Sequence, residues 1–274
     1  ISVAHSALGT GMAIGLARIG ETLGWWHLDR LGALAAHALL GAVGFGTLTA
    51  IGVGSRMVPT FLLAPGNDRQ WLRFILTLVS AGLTAFTLGA LVGPAWLART
   101  GAMLLLAAGA AIFALGQRWF RRRGRPLDPS LWHVVAAFAG IAVATLLGGG
   151  LLASNAFDLA RWSALVTALV LGWLVMLVLG VMAKILSHLS YNNLFGVMPG
   201  FARLGNPNLL LRADWMTASG TLLGAGALGL TLAIEFGKPG PALGAAAAWS
   251  VGAILTVGNY LRMIVIGWSG RLWE

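Results

Sequence analysis

The chain has 274 residues, of which 58% are hydrophobic and only 9% charged, with a net charge of +10 and no cysteine. Its mean hydropathy is +0.85, and soluble domains carry about 25% charged residues, so a soluble globular protein is excluded. The missing cysteines exclude a disulfide framework, a thiolate metal site, an iron–sulfur cluster and covalent heme attachment.

Taken in order, apolar runs of the length that crosses about 30 Å of hydrocarbon recur through the chain. The first runs from Ser2 to Ile19, and a loop with Glu21, Trp25, Trp26, His27 and Asp29 leads into the second, Leu31 to Leu63. Pro59 near the end of that long segment marks where a helix loses a backbone donor cheaply. After the turn-rich APGNDRQ come Trp71 to Val92, then Gly93-Pro94, then Trp96 to Phe120. The basic, proline-containing stretch Arg118 to Ser130 reads as a linker, with an aspartate at a helix start. Beyond it lie Leu131 to Ala153, Arg161 to Leu189, Ala213 to Phe236 and Leu243 to Gly267. The intervening 190–212 reads as a loop whose Tyr191-Asn192-Asn193 offers a docking surface or lid.

The expected fold is all-α, a polytopic membrane helix bundle of eight transmembrane helices arranged as two four-helix repeats, 1–124 and 125–274. The repeat rests on an offset of 128 residues. Gly44 pairs with Gly172, Phe45 with Trp173, Gly52 with Gly180, Val53 with Val181, Arg56 with Lys184, and His5 with His133. No signal peptide is expected, because no basic region precedes the first apolar core. With eight spans both termini share one side, and that side collects Arg56, Arg118, Arg121, Arg122, Arg123, Arg125 and Lys184 among others. The positive-inside rule then predicts a bacterial-type inner membrane protein with cytoplasmic termini. Cations at span ends act as topology signals, so nucleic acid is not an expected partner; the lipid bilayer is.

Polar chemistry inside a bilayer is costly, which makes the few polar groups informative. All eight carboxylates fall near span ends or loops, which argues against a proton-coupled carrier. Asn259, Tyr260 and Arg262 in the last span read either as pathway residues or as a helix–helix hydrogen-bond cluster. Among tryptophans, Trp173 alone is expected to lie deep. Small-residue pairs such as Gly11 with Gly15, and Gly44 with Gly52, predict close helix approach. The Gly148-Gly149-Gly150 run lacks the context of a nucleotide loop.

On the repeat, His5 and His133 occupy matching positions, and a twofold along the membrane normal would set them at equal depth. Two such imidazoles are the axial pair of a bis-histidine heme b, so His5 and His133 are the expected metal ligands. Arg56 and Lys184 would neutralise heme propionates or anionic lipid. His37 and His188 are further cofactor-binding candidates. The competing reading makes each histidine a packing residue hydrogen-bonded to a neighbouring helix, and each of the two cations a simple snorkelling end-of-helix residue.

The stretch His37 to Phe61, HALLGAVGFGTLTAIGVGSRMVPTF, resembles the helix signature of heme-copper-oxidase-like membrane proteins, particularly the C-family catalytic subunits and the smaller NnrS-type heme proteins. Gly44, Phe45, Gly52, Arg56, Val58 and Pro59 match that pattern, and Gly172 to His188 echoes it loosely. The copper histidine of the oxidases would fall close to Leu40, whereas His37 sits one turn earlier. The resemblance thus implies a reduced member of the group, heme-bearing and without the copper site, and only His37 transfers onto the motif. The function these readings imply is a heme b electron-transfer subunit of a respiratory or other redox complex, an accessory rather than a complete oxidase, with quinone and other redox subunits as partners. The alternative is a cofactor-free integral scaffold subunit.

Overall fold

The computed structural model describes residues 2–22, 30–65, 68–91, 94–154, 158–195 and 210–269. Helices dominate and no strand occurs among the described residues. Helix α1 is Ser2–Thr22. A long second rod comprises α2 (Arg30–Leu39), a π-helical segment π1 (Leu40–Thr47) and α3 (Leu48–Leu62). Helices α4 (Arg69–Leu91) and α5 (Ala95–Arg121) follow. A 3-10 turn, Pro129–Leu131, opens α6 (Trp132–Ser154). A second long rod comprises α7 (Leu159–Thr167), π2 (Ala168–Val175) and α8 (Met176–Phe195), and α9 (Ala213–Glu235) and α10 (Pro239–Ser269) follow.

Among the described residues, seven helices are long and apolar enough to cross a membrane, and α1 carries a shorter apolar stretch, Val3–Ala17. The chain is a multi-pass membrane protein. The sequence places these boundaries for physical reasons. Asp128 accepts from Ser130 N at 3.0 Å with Pro129 at the first position of the turn, and Asp158 accepts from Arg161 N at 2.9 Å. Both are side-chain oxygens filling the donors that a helix start leaves unpaired. One boundary differs from expectation: Tyr191, Asn192 and Asn193 form part of the last turns of α8 rather than a loop. The remainder of that predicted loop, 196–209, and His27 lie outside the described residues.

Glycines set how the helices meet, because without a hydrophobic drive between helices in lipid, close packing holds them together. In α4 and α5, Gly82 faces Leu105, Gly89 faces Ala98 and Gly101 faces Phe86. One index falls as the other rises, so the pair runs antiparallel. Helices α5 and α6 pair likewise through Gly109 with Thr145 and Gly116 with Phe138. Helices α6 and α9 instead run parallel, since Trp132 lies against Gly220 and Ala136 against Gly224.

The two π segments are the structural counterpart of the sequence offset. Both span eight residues, and 168 minus 40 is 128. A π turn bonds five residues back and widens the helix by one residue. In π1 the bond runs from Leu48 N to Val43 O, and Thr47 Oγ1 donates to Ala42 O at 3.0 Å. The rods touch at equivalent residues: a Cβ on Gly46 would lie 2.5 Å from Leu174. Beside this contact Trp173, only 1% exposed, donates its indole N–H to Thr47 Oγ1 at 3.1 Å. Trp173 meets Phe138 edge-on at 5.4 Å, and Phe138 meets Trp119 at 6.1 Å. Trp173 is buried within the bundle, and so is Trp119, at 4% exposed.

Candidate functional site

The first helices of the two halves do not share the register of the long rods. Ala7 meets Gly44, where a glycine Cβ would approach to 2.6 Å. The offset counterpart of Gly44 is Gly172, and it meets Gly140 rather than Val135, the counterpart of Ala7. Helix α6 is thus displaced by five residues relative to the rod it packs on, a shift of about 7 Å at helical rise. His5 consequently lies level with π1, its ring 6.4 Å from Phe45 and edge-on to it. His133 lies level with Gly180, whose Cβ would sit 3.2 Å from His133 Cβ. The counterpart of Gly180 is Gly52, and no atom approaches a Cβ there within 4 Å. Equal depth of His5 and His133 does not follow from this packing. Helix α1 packs on α2, π1 and α3, whereas α6 packs chiefly on α5, π2, α8 and α9.

The four histidines within the described residues occupy different surroundings. His133 is fully buried, and its Nε2 lies 3.3 Å from Ser219 Oγ. The Ser219 hydroxyl lies within donating distance of both Met216 O at 3.1 Å and His133 Nε2, and His133 Nδ1 is buried without a hydrogen-bond partner. His37 is exposed, and its Nδ1 lies 2.8 Å from Gly11 O. A carbonyl only accepts, so Nδ1 carries the hydrogen and Nε2 is bare. A Cβ on Gly15 would come within 3.5 Å of the same ring. His188 is exposed and donates from Nδ1 to Lys184 O at 2.9 Å, a bond within its own helix.

The cations Arg56 and Lys184 diverge as well. Arg56 is exposed on α3. Lys184 is 1% exposed on α8 and forms an ion pair with Asp128, which projects from the connection into α6. Simple snorkelling therefore does not describe Lys184, whose ammonium is committed to a carboxylate. Asp128 also accepts from the Ser130 hydroxyl and amide. Burial pushes its carboxyl up, but hydrogen bonds from Lys184 and Ser130 and the ammonium charge outweigh burial and hold it below the usual carboxylate range.

A second locked carboxylate is Asp68, 5% exposed, which accepts from Trp119 Nε1 at 2.7 Å. Arg118 Nε lies 3.0 Å from its other oxygen without hydrogen-bond alignment. The Asp68–Trp119 pairing escaped sequence reasoning, since its partners lie 51 residues apart and a turn aspartate looks solvated. Asn259, Tyr260 and Arg262 behave as helix fasteners. Asn259 Nδ2 donates to Arg212 O at 3.3 Å, its Oδ1 accepts from Arg212 N at 3.2 Å, and Arg262 donates to Leu210 O at 2.9 Å. Tyr260 donates its hydroxyl to Leu179 O.

Two arrangements can do chemistry. His37 presents a bare imidazole nitrogen on an outer face, with its second nitrogen tied to a carbonyl. His133 is enclosed at the head of the α6/α9 contact, with no hydrogen-bond partner at Nδ1. No family model matches the chain, and neither a curated protein nor a solved structure matches it.

Proposed function

We propose that the chain is a heme b-binding electron-transfer subunit of a membrane redox complex, with His37 as an axial ligand. The observation that carries this reading is the 2.8 Å contact from His37 Nδ1 to Gly11 O. Ligating histidines characteristically donate their second ring N–H to a carbonyl or carboxylate, which fixes the tautomer and orients the free nitrogen. His37 has that arrangement, Gly15 beside it leaves space that a larger side chain would fill, and its exposure leaves the free nitrogen open to a group held against this face. Heme, when bound there, would supply a one-electron couple; the chain's own part is to orient the ring and to present an apolar wall.

Lys184 is not the propionate partner on this reading, because Asp128 already engages it. Arg56 lies 19 residues beyond His37, about 28 Å along the rod, and answers to lipid or to a neighbouring subunit. The same proposal extends to the architecture: eight spans in two four-helix repeats, 1–124 and 125–274, with both termini cytoplasmic in an inner membrane. The matched π segments and the Gly46–Leu174 contact support the duplication. The competing class, a cofactor-free scaffold subunit, draws on the satisfied structural roles of Asn259, Tyr260 and Lys184.

A reduced-minus-oxidised visible spectrum of protein purified with heme supplied decides between them. The expected result is a heme b alpha band that disappears in His37→Ala while the variant still folds. Absence of any band in the unaltered protein ends the redox reading. A band that survives His37→Ala but is lost in His133→Ala overturns the ligand assignment.

A further inference from the structure

Three helix ends converge at one pole of the bundle. The antiparallel pairing of α4 and α5 sets Asp68, just before α4, against Trp119 and Arg118 near the end of α5. The connection that follows folds back onto the end of α3, where Gly124 N donates to Leu62 O at 2.9 Å. This pole carries Arg69 and Arg73 on α4, with Arg118, Arg121, Arg122 and Arg123 on and just after α5, and Asp68 is the one carboxylate in those stretches. Asp68 is buried and already engaged by Trp119 and Arg118. Arg69, Arg73, Arg121, Arg122 and Arg123 are exposed, and among the described residues no carboxylate pairs with any of them.

We propose that this pole binds an anionic phospholipid, its phosphate held by the exposed guanidinium groups at the start of α4 and the end of α5, and its acyl chains lying along the outer faces of the same two helices. Charge and depth together select this occupant. The negative end of the α5 dipole accounts for cations in its last turn, but the positive end of the α4 dipole disfavours Arg69 and Arg73. Like charges at this density also repel one another, so the balancing anion comes from outside the chain. A guanidinium fork meets a phosphate with two parallel hydrogen bonds. Apolar exposure begins within a turn of these cations: Trp71 is 36% and Phe74 54% exposed, and aromatic side chains of this kind sit at headgroup level. Below them Leu76 on α4 and Ala114 and Ala110 on α5 are exposed, a smooth apolar wall of the kind an acyl chain covers. A soluble phosphate or an acidic strand would answer the cations and leave that wall unmatched, whereas a phospholipid answers both. A zwitterionic headgroup brings its own ammonium, so the pole favours a lipid of net negative charge. The site depends on the chain being embedded in a membrane and not on heme at His37.

The test uses the full chain in delipidating detergent, titrated with dioleoylphosphatidylglycerol or dioleoylphosphatidylcholine, with bound lipid counted by native mass spectrometry. The first phosphatidylglycerol is expected to bind about tenfold more tightly than the first phosphatidylcholine. An arginine beside an anionic headgroup is worth about a fivefold gain in binding. Arg73→Gln and Arg121→Gln should therefore each weaken phosphatidylglycerol about fivefold, and Arg121→Gln with Arg122→Gln about twentyfold, while phosphatidylcholine binding stays as it was. These side chains are exposed and have no carboxylate partner among the described residues, so the variants keep their fold, checked by thermal midpoint. Lys238→Gln is the control. Lys238 is exposed between α9 and α10, at the opposite pole because α9 runs parallel to α6, and its loss leaves phosphatidylglycerol binding unchanged. His37→Ala, whatever it does to a heme band, also leaves it unchanged. Equal affinity for the two lipids, undiminished phosphatidylglycerol binding in the arginine variants, or an equal loss in Lys238→Gln overturns the proposal. So does full displacement of the lipid by equimolar glycerol phosphate or by an oligothymidylate strand, either of which would make the pole a site for a soluble anion.

Discussion

The Asp128–Lys184 pair offers the sharpest test of how this bundle tolerates charge. Lys184 is 1% exposed and Asp128 18% exposed, so deleting the two partners is not symmetric. Asp128→Ala removes the carboxylate from an enclosed ammonium, and Arg125 nearby adds like charge. Stripping one member from a buried pair costs about 3–5 kcal/mol; the residual water access at Asp128 puts the expectation at the low end, about 3 kcal/mol. Lys184→Met fills the same space without charge and leaves Asp128 still bonded to Ser130 N and Oγ, so about 1 kcal/mol is expected. The double variant Asp128→Ala with Lys184→Met falls near the latter, since with both charges gone neither needs compensation. The assay is reversible unfolding in detergent, read as a double-mutant cycle. Because Asp128 is held below its ordinary value, the pair contributes fully above about pH 4, where the unfolded carboxylate titrates. That contribution is lost as pH falls through the lower folded value, and Asp128→Asn lacks this acid-dependent component. Equal costs for Asp128→Ala and Lys184→Met, or additive single variants, would refute the reasoning.

Four further substitutions probe packing and the second carboxylate. Gly101→Ala drives a methyl group into the Phe86 backbone and is expected to cost about 3 kcal/mol, while Gly52→Ala meets no atom within 4 Å and gains about 0.5–1 kcal/mol from helix propensity. Thermal midpoints of the two should move in opposite directions. Asp68→Ala strands the Trp119 indole N–H, on a side chain 4% exposed, and should lose about 1–3 kcal/mol, with Asp68→Asn recovering part of it because its amide oxygen still accepts.

Much of the architecture is legible in the sequence because bilayer thickness imposes span length and a few residues punctuate it. Pro94, Asp128 and Asp158 stand at helix starts, and the observed helices follow the expected spans to within a few residues. The offset between Gly44 and Gly172 anticipates two segments with the same backbone anomaly. It carries no trace of the anomaly itself, since a π turn is a change in hydrogen bonding that leaves hydropathy untouched. The histidine register was not legible either. A sequence offset compares residues along each helix, whereas the level of His5 against His133 depends on which glycine of the rod each helix docks against. Nor does Lys184 differ from Arg56 by any local signal. Its burial comes from Asp128, 56 residues earlier, on a connection that composition describes only as polar.

The five-residue displacement of α6 connects these observations to the two chemical sites. It moves the head of α6 alongside Gly180 and brings Trp132 and His133 up to Gly220 of α9, which is why His133 is enclosed and lies beside Ser219. Five residues also turn a helix by about 500°, or 140° beyond a full turn, so even a perfectly matched histidine on α1 would point elsewhere. His37 instead belongs to the rod, held by a carbonyl of α1 and exposed. If the halves arose from one unit, as proposed above, their common element is the π-containing rod, and the helices around it have slid. The slide gives one half an enclosed imidazole and leaves the other half an outward-facing one, and the two are separable by mutation, because neither histidine shares a helix, a hydrogen-bond partner or a glycine contact with the other.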